Sequence, residues 1–190
     1  PDFRSNEEWG LANGRGGYVA AGVGGGITGK GAHVLVIDDP IKNAEEADSA
    51  DVREKLWDWY GSTAYTRLAP GGGVLVIQTW WHDDDLAGRL QTAMATDDEA
   101  DQFELVKYPA VAESDEYLDY DTDLIVYDEP PANGRPLRAK GEPLHPERYD
   151  LVKLNRIKKT IPSRFWAALY QQNPVPDDGA YFVKENFRRA

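Results

Sequence analysis

Val34-Leu35-Val36-Ile37 running into Asp38-Asp39-Pro40 is the stretch on which the fold turns. Four branched apolar residues in succession, without polar alternation, predict a strand buried on both faces, as in a parallel sheet. Pro40 ends it, because proline has no amide proton for a strand ladder. Further along, Val74-Leu75-Val76-Ile77 copies the tetrapeptide and runs into Gln78-Thr79. Four residues are too few to make an internal repeat. Between the two lies a helix signal over about residues 44–60: Asn43 with Glu46 forms a capping-box pattern, and Val52, Leu56 and Tyr60 recur at helical spacing. Strand, helix, parallel strand is a right-handed βαβ unit of an α/β fold.

The flanks are read outward from this unit. Residues 1–31 are rich in glycine, with Tyr18-Val19-Ala20-Ala21 as a short strand and the glycines as a flexible hairpin. Ala69-Pro70-Gly71-Gly72-Gly73 reads as the loop entering the second strand. Leu86, Leu90 and Met94 mark a helix whose N-terminus carries Asp83, Asp84 and Asp85, favourably placed against the helix dipole. Phe103 to Tyr108 is expected to be a third strand and Leu124 to Tyr127 an edge strand. Residues 130–147, rich in proline and glycine, read as a loop. Two helices follow, over about 147–160 and 163–172, separated by Pro162 with Ser163 as N-cap. The tryptophans Trp57, Trp59 and Trp166 fall on helices and are expected in the core. Residues 1–172 are read as one domain and 173–190 as a linker leaving it.

Composition bounds the function. The 190 residues, 41% hydrophobic, suffice for a sizeable core. With a mean hydropathy of −0.60 and no long apolar run, nothing here crosses a bilayer as a helix. The absence of cysteine excludes a disulfide scaffold and thiolate metal ligands. Lys and Arg number 21 against 33 Asp and Glu, a net charge of −12, so nucleic acid is not gripped over the whole surface. A local patch remains: residues 135–159 hold eight cations against three acids, among them Lys153, Arg156, Lys158 and Lys159. These suit phosphates or simply a solvated helix face. Residues 97–129, by contrast, hold 13 acids and one lysine and read as exposed surface. The chain begins at Pro1 without a basic-then-apolar leader, and is expected to be a piece of a longer protein.

Three constellations bear on chemistry. Asp38-Asp39 at a strand tip matches the way nucleotide-hydrolysing enzymes deliver carboxylates to the carboxyl edge of a parallel sheet, where ligands bind. The first would hold hydrated Mg²⁺, and the second would orient the attacking water. Polar turn chemistry at an Asp-Pro is the plainer meaning. Gln78-Thr79 on the neighbouring strand would stand beside the acid pair and sense a terminal phosphate, or be ordinary strand-end polarity. Gly24-Gly25-Gly26-Ile27-Thr28-Gly29-Lys30 matches G-x-x-x-x-G-K, but Gly31 stands where a Mg²⁺-binding hydroxyl belongs, and the segment precedes a strand instead of opening a helix. It is read as a glycine hairpin, which leaves the phosphate loop outside the chain. In Trp80-Trp81-His82-Asp83-Asp84-Asp85 the acids are adjacent and cannot converge from a helix, so capping is favoured over a metal site. His33 and His145 have no partner pattern.

The residues resemble a known family: the large terminase subunit of tailed bacteriophages, the ATP-driven motor that packages DNA. Tyr18 to Gly31, Val34 to Lys42, Gln78-Thr79 with Trp81 to Leu90, and Tyr170-Gln171-Gln172-Asn173-Pro174 carry the resemblance, in family order. It implies the second half of a P-loop ATPase domain, a partial parallel sheet flanked by helices. Asp38 and Asp39 would be its Walker B pair, with Asp39 in place of the usual glutamate. Gln78 and Thr79 would form the motif coupling hydrolysis to DNA movement, with ATP and Mg²⁺ as cofactors. Trp80 departs from the arginine common before the Trp-His pair. The implied partners are double-stranded viral DNA, the portal of the procapsid, the small terminase subunit and further copies in a ring, in the host cytoplasm. A nuclease domain would begin beyond Phe187. Two rival readings are a metal-dependent nuclease using His82 with Asp38 or Asp39, and a non-catalytic DNA- or capsid-binding module using residues 135–159.

Overall fold

The computed structural model describes residues 7–12, 14–27 and 29–175. Thr28 and most of the expected linker therefore lie outside the described residues, as does the start of the expected nuclease domain. The chain divides into two compact units, Pro1–Gln78 and Thr79–Ala190. Both mix helices with small sheets.

The first unit opens with a hairpin. Strands β1 (Glu8–Gly10) and β2 (Gly17–Val19) pair antiparallel, with Trp9 stacked on Tyr18 at 5.8 Å. β2 thus begins and ends slightly earlier than the sequence suggests. The strands β3 (Ala32–Asp38) and β4 (Leu68–Ile77) lie parallel, with Val36 opposite Leu75 and Asp38 opposite Ile77. Parallel neighbours need a long crossover. Here it is helical: α1 (Ala44–Asp48), α2 (Ala50–Trp59), then a wide π turn over Tyr60–Ala64. Asn43 caps α1 by accepting from the Glu46 amide at 3.0 Å, and the Lys42 amide donates back to the Glu46 carboxylate. The single helix expected over 44–60 is broken at Ser49, whose hydroxyl caps α2 by accepting from the Val52 amide. Ala69 to Gly73 belong to β4, where the pairing jumps from Ala32–Leu68 to Val34–Gly73.

Burial of the paired strands corrects the sequence reading. Ile37 is buried, and Leu35, Val74 and Val76 are half-buried. Among the described residues, the unit's buried apolar side chains, Ile37, Ile41, Ala47, Leu56, Tyr60 and Ala64, come from β3 and from the loop and helical turns of the crossover. Val34 is 67% exposed, and Val36, Leu75 and Ile77 are each about half exposed. Side chains alternate along a strand, so these four form the opposite face. The continuous apolar run has one covered face and one bare one. Trp57 and Trp59 are half-buried; only Trp166, in the second unit, reaches the core.

The second unit begins with α3 (Leu86–Thr96). An antiparallel sheet follows, in the order β6 (Ile125–Tyr127), β5 (Glu116–Asp119), β7 (Gly134–Arg138). β7 lies inside the stretch expected to be loop. Pro136 hides its strand character, and Gly134 is needed there because a Cβ would fall 2.1 Å from the Leu118 carbonyl oxygen. Phe103 to Tyr108 forms no strand. It has no ladder partner among the described residues, and the Tyr108 amide instead donates to the Gln172 side chain at 2.6 Å. After α4 (Leu151–Thr160) comes α5 (Ser163–Phe165), which widens into a π turn over Trp166–Tyr170. Ser163 is the first residue of α5, not its cap: Pro162 holds that position and offers no side-chain bond.

Candidate functional site

The tips of β3 and β4 meet at one rim because the strands are parallel and in register. The Asp39 amide donates to the Ile77 carbonyl at 2.9 Å, which extends the pairing one residue past β3. Asp38 and Asp39 are exposed there, held by the buried Ile37 behind them. Asp39 has φ +40°, a left-handed conformation that side-chain-bearing residues rarely adopt, aspartate being among the more tolerant. Such conformations persist where surrounding structure enforces them and cluster at working sites. Gln78 follows β4 at the same end. Its amide nitrogen and oxygen are both buried without a hydrogen-bond partner among the described residues. An orphaned buried polar group costs about 1–3 kcal/mol, so a native protein keeps one for a reason. Thr79, half-buried, is the next residue in the chain and opens the second unit. Asp38, Asp39 and Gln78 are thus brought together as a set.

The Trp80-to-Asp85 stretch serves the start of α3. Asp85, 1% exposed, accepts from the Gly88 amide at 3.2 Å and from the His82 amide at 3.4 Å. Asp84 turns instead to Arg89, in a pair of bonds of 2.9 and 3.1 Å. The buried His82 accepts from the Asp84 amide on Nδ1 at 2.9 Å, while Asp83 Oδ1 lies 2.9 Å from the same nitrogen. Asp85 and Asp84 thus turn to different partners, and Asp83 Oδ1 is buried without a hydrogen-bond partner among the described residues. Among the described residues no group of three or more His, Asp or Glu is placed to hold a metal ion. Gly88 makes the tight turn possible: a Cβ there would overlap the Asp83 carbonyl oxygen. The Trp80 ring lies under the Lys107 ammonium, 4.5 Å from Nζ to ring centroid, a contact that no sequence spacing announces.

Lys107 also lines an open cleft of about 330 Å³ with Leu105, Pro109, Glu113, Tyr127 and Asn173. Burial holds the Lys107 ammonium below the usual lysine range, and Glu113 partly offsets it. Burial likewise raises the Tyr127 phenol, with Glu116 adding to the effect. Glu116 itself is saturated by Arg138, at 2.7 and 2.8 Å. Tyr170 to Pro174, prominent in the sequence, turns out to be a clip. Gln171 bonds both the amide and the carbonyl of Val111, at 3.1 and 2.9 Å.

The basic residues gather on α4. Asp150 caps it by accepting from the Lys153 amide at 2.7 Å. Leu154 is buried and Ile157 half-buried, while the other eight residues are exposed. Lys153 reaches over the Tyr149 ring (4.2 Å) and Lys158 over Trp166 (5.5 Å).

The chain thus mixes helices with small sheets and carries an acid pair and an unpartnered amide at the tips of two parallel strands. The family is shown independently. The model described as "Terminase large subunit, T4likevirus-type, N-terminal" matches residues 9–189. The chain belongs to the large terminase subunits, which places it in viral DNA packaging. A search of curated proteins found no match.

Proposed function

We propose that this chain carries the hydrolytic rim of an ATP-driven DNA-packaging motor. The observation supporting this most directly is the parallel register of β3 and β4, which sets Asp38, Asp39 and the unpartnered Gln78 amide at one edge. The residues suit a nucleotide with Mg²⁺: Asp38 is an exposed carboxylate on a rigid strand tip, the hard oxygen donor that this cation prefers. Bound there, the cation would supply charge neutralisation to the terminal phosphates. Asp38 would hold it through its hydration shell. Asp39 would accept a proton from, or orient, the attacking water. The Gln78 amide would donate to phosphate or water, which gives its buried nitrogen a partner, and Thr79 would pass the change along the chain. Gly24 to Lys30 does not supply the phosphate cradle, because it leads into β3 and not into a helix. The cradle would come from a further segment of polypeptide, whose arrival would also cover the bare face of β3 and β4. Procapsid and portal, the small terminase subunit, a ring of copies, a nuclease domain beyond Phe187 and the host cytoplasm complete the proposal.

The test is nucleotide turnover. The 190-residue chain alone is expected to hydrolyse ATP poorly, whereas a large subunit that includes a phosphate loop turns over and loses at least about 100-fold on Asp39→Asn, the scale of a positioned acid–base group. Brisk turnover by the isolated chain, abolished by Asp39→Asn, would overturn the placing of the cradle elsewhere. Unchanged turnover of the larger protein carrying Asp39→Asn would overturn the role of the acid pair.

A further inference from the structure

We infer that the outer face of α4 is a sequence-independent contact surface for the phosphate backbone of duplex DNA. The inference rests on the family's place in DNA packaging and not on the proposed ATP chemistry. Four of the ten residues of α4 are cationic and none is acidic. The surrounding stretch, 148–164, adds Arg148 and Arg164 against the single acid Asp150. In a chain of net charge −12 this is a local reversal of sign.

Geometry divides the cations into two pairs. The inner stripe of α4 is Leu154 and Ile157. On a 3.6-residue turn, Arg156 and Lys159 fall away from that stripe and flank Val152, which is 70% exposed. Neither has a carboxylate partner among the described residues, so each reaches solvent with its charge uncompensated. Lys153 and Lys158 flank the inner stripe and are steadied over Tyr149 and Trp166. Trp166 is itself stacked on Tyr170, at 4.9 Å and 7°. The rings anchor the lysine stems without neutralising them. A helix of ten residues is about 15 Å long, close to the rise of four phosphates along one strand. Contacts from arginine and lysine to phosphate oxygens fix the register of the duplex and carry no sequence information directly, so a contact of this kind positions DNA without selecting a sequence. Sequence independence is what moving along a whole genome requires.

The test is binding of the full 190-residue chain to two unrelated duplexes, by fluorescence anisotropy across a salt series without nucleotide. Wild type is expected to bind both alike, with affinity falling steeply with salt. Arg156→Gln with Lys159→Gln removes two phosphate contacts. This flattens the log–log slope by about 1.8, or about 60-fold in affinity near 0.1 M salt. Lys42→Gln with Lys55→Gln, the same charge change on exposed lysines of the first unit, is expected to leave binding unchanged. Lys153→Gln with Lys158→Gln provides a second reading on the same helix, and far-UV circular dichroism checks that each variant folds. A wild-type slope in the Arg156/Lys159 variant would overturn the inference, as would an equal loss in the Lys42/Lys55 control. If that α4 variant binds DNA normally but loses self-association in sedimentation, α4 is an interface between copies, and the inference also fails. Asp39→Asn is expected to bind DNA as wild type does, so failure here is separable from failure of the proposed hydrolysis.

Discussion

Replacing Asp85 separates the two meanings of the Trp80-to-Asp85 stretch, cap or metal site. In Asp85→Ala the Gly88 amide loses its acceptor at a fully buried helix start. Cap losses run about 0.5–2 kcal/mol, and burial puts this one toward the top. The longer bond from the His82 amide, 3.4 Å, adds about 1 kcal/mol for a second stranded donor. The expected total is about 2–3 kcal/mol. Asp85→Asn keeps one acceptor oxygen for the Gly88 amide but turns its NH2 toward the His82 amide, so it forfeits that longer bond, about 1 kcal/mol, and the charge–dipole term, about 0.3–1 kcal/mol. With a urea slope near 2 kcal/mol/M, the alanine midpoint falls by about 1–1.5 M and the asparagine midpoint by about 0.6–1 M. Urea titration by circular dichroism, with and without millimolar Mn²⁺, reads both. Equal losses in the two variants would refute the capping argument. So would a wild type strengthened by Mn²⁺ beside an Asp85→Asn variant that ignores it.

Two further perturbations test the second unit. Glu116 and Arg138, 5% and 10% exposed at their side chains, form a buried bidentate pair between β5 and β7. Glu116→Ala or Arg138→Ala alone is expected to cost about 3–5 kcal/mol by stranding a charge, whereas an apolar pair, Glu116→Leu with Arg138→Met, costs much less than the sum. A double-mutant cycle by urea unfolding checks this, and additive losses would contradict it. For Lys107 the sign follows from proton counting. Its folded pKa is lowered, so above that value the unfolded chain binds the extra proton and stability rises with pH. In the pH range just below the ordinary lysine value of about 10.4, unfolding free energy is expected to rise more steeply with pH in wild type than in Lys107→Met. Identical slopes would show that the ammonium is not desolvated.

The parallel pairing of β3 and β4 was legible in the sequence because unbroken apolar runs ending in polar pairs have few other uses. The α3 helix was legible because Leu86-Leu90-Met94 is a local signal, and α4 was expected to its observed end, though from about residue 147 and not from Leu151. What the sequence did not show depends on neighbours. Val34 and Val36 look identical to Leu35 and Ile37 in a string of letters, yet only one face acquired a cover. β7 was hidden by Pro136, which an edge position tolerates. Phe103 to Tyr108 has strand-like composition, but the Tyr108 amide is taken by the Gln172 side chain and the Phe103 amide faces the Met94 sulfur. At the candidate site the acid pair was visible as a motif. The left-handed turn at Asp39 and the orphaned amide of Gln78 are properties of packing and had no signature in the string.

The uncovered side of β3 and β4 also has a practical consequence. Val34, Val36, Leu75 and Ile77 form a water-facing oily plate on a two-stranded ribbon whose outer edges have no strand beside them among the described residues. Such ribbons recruit one another in solution, edge against edge and plate against plate. Handled by itself, the polypeptide will turn cloudy as its concentration rises. Lysine or threonine placed at Val36 and Leu75 is the change that keeps it clear.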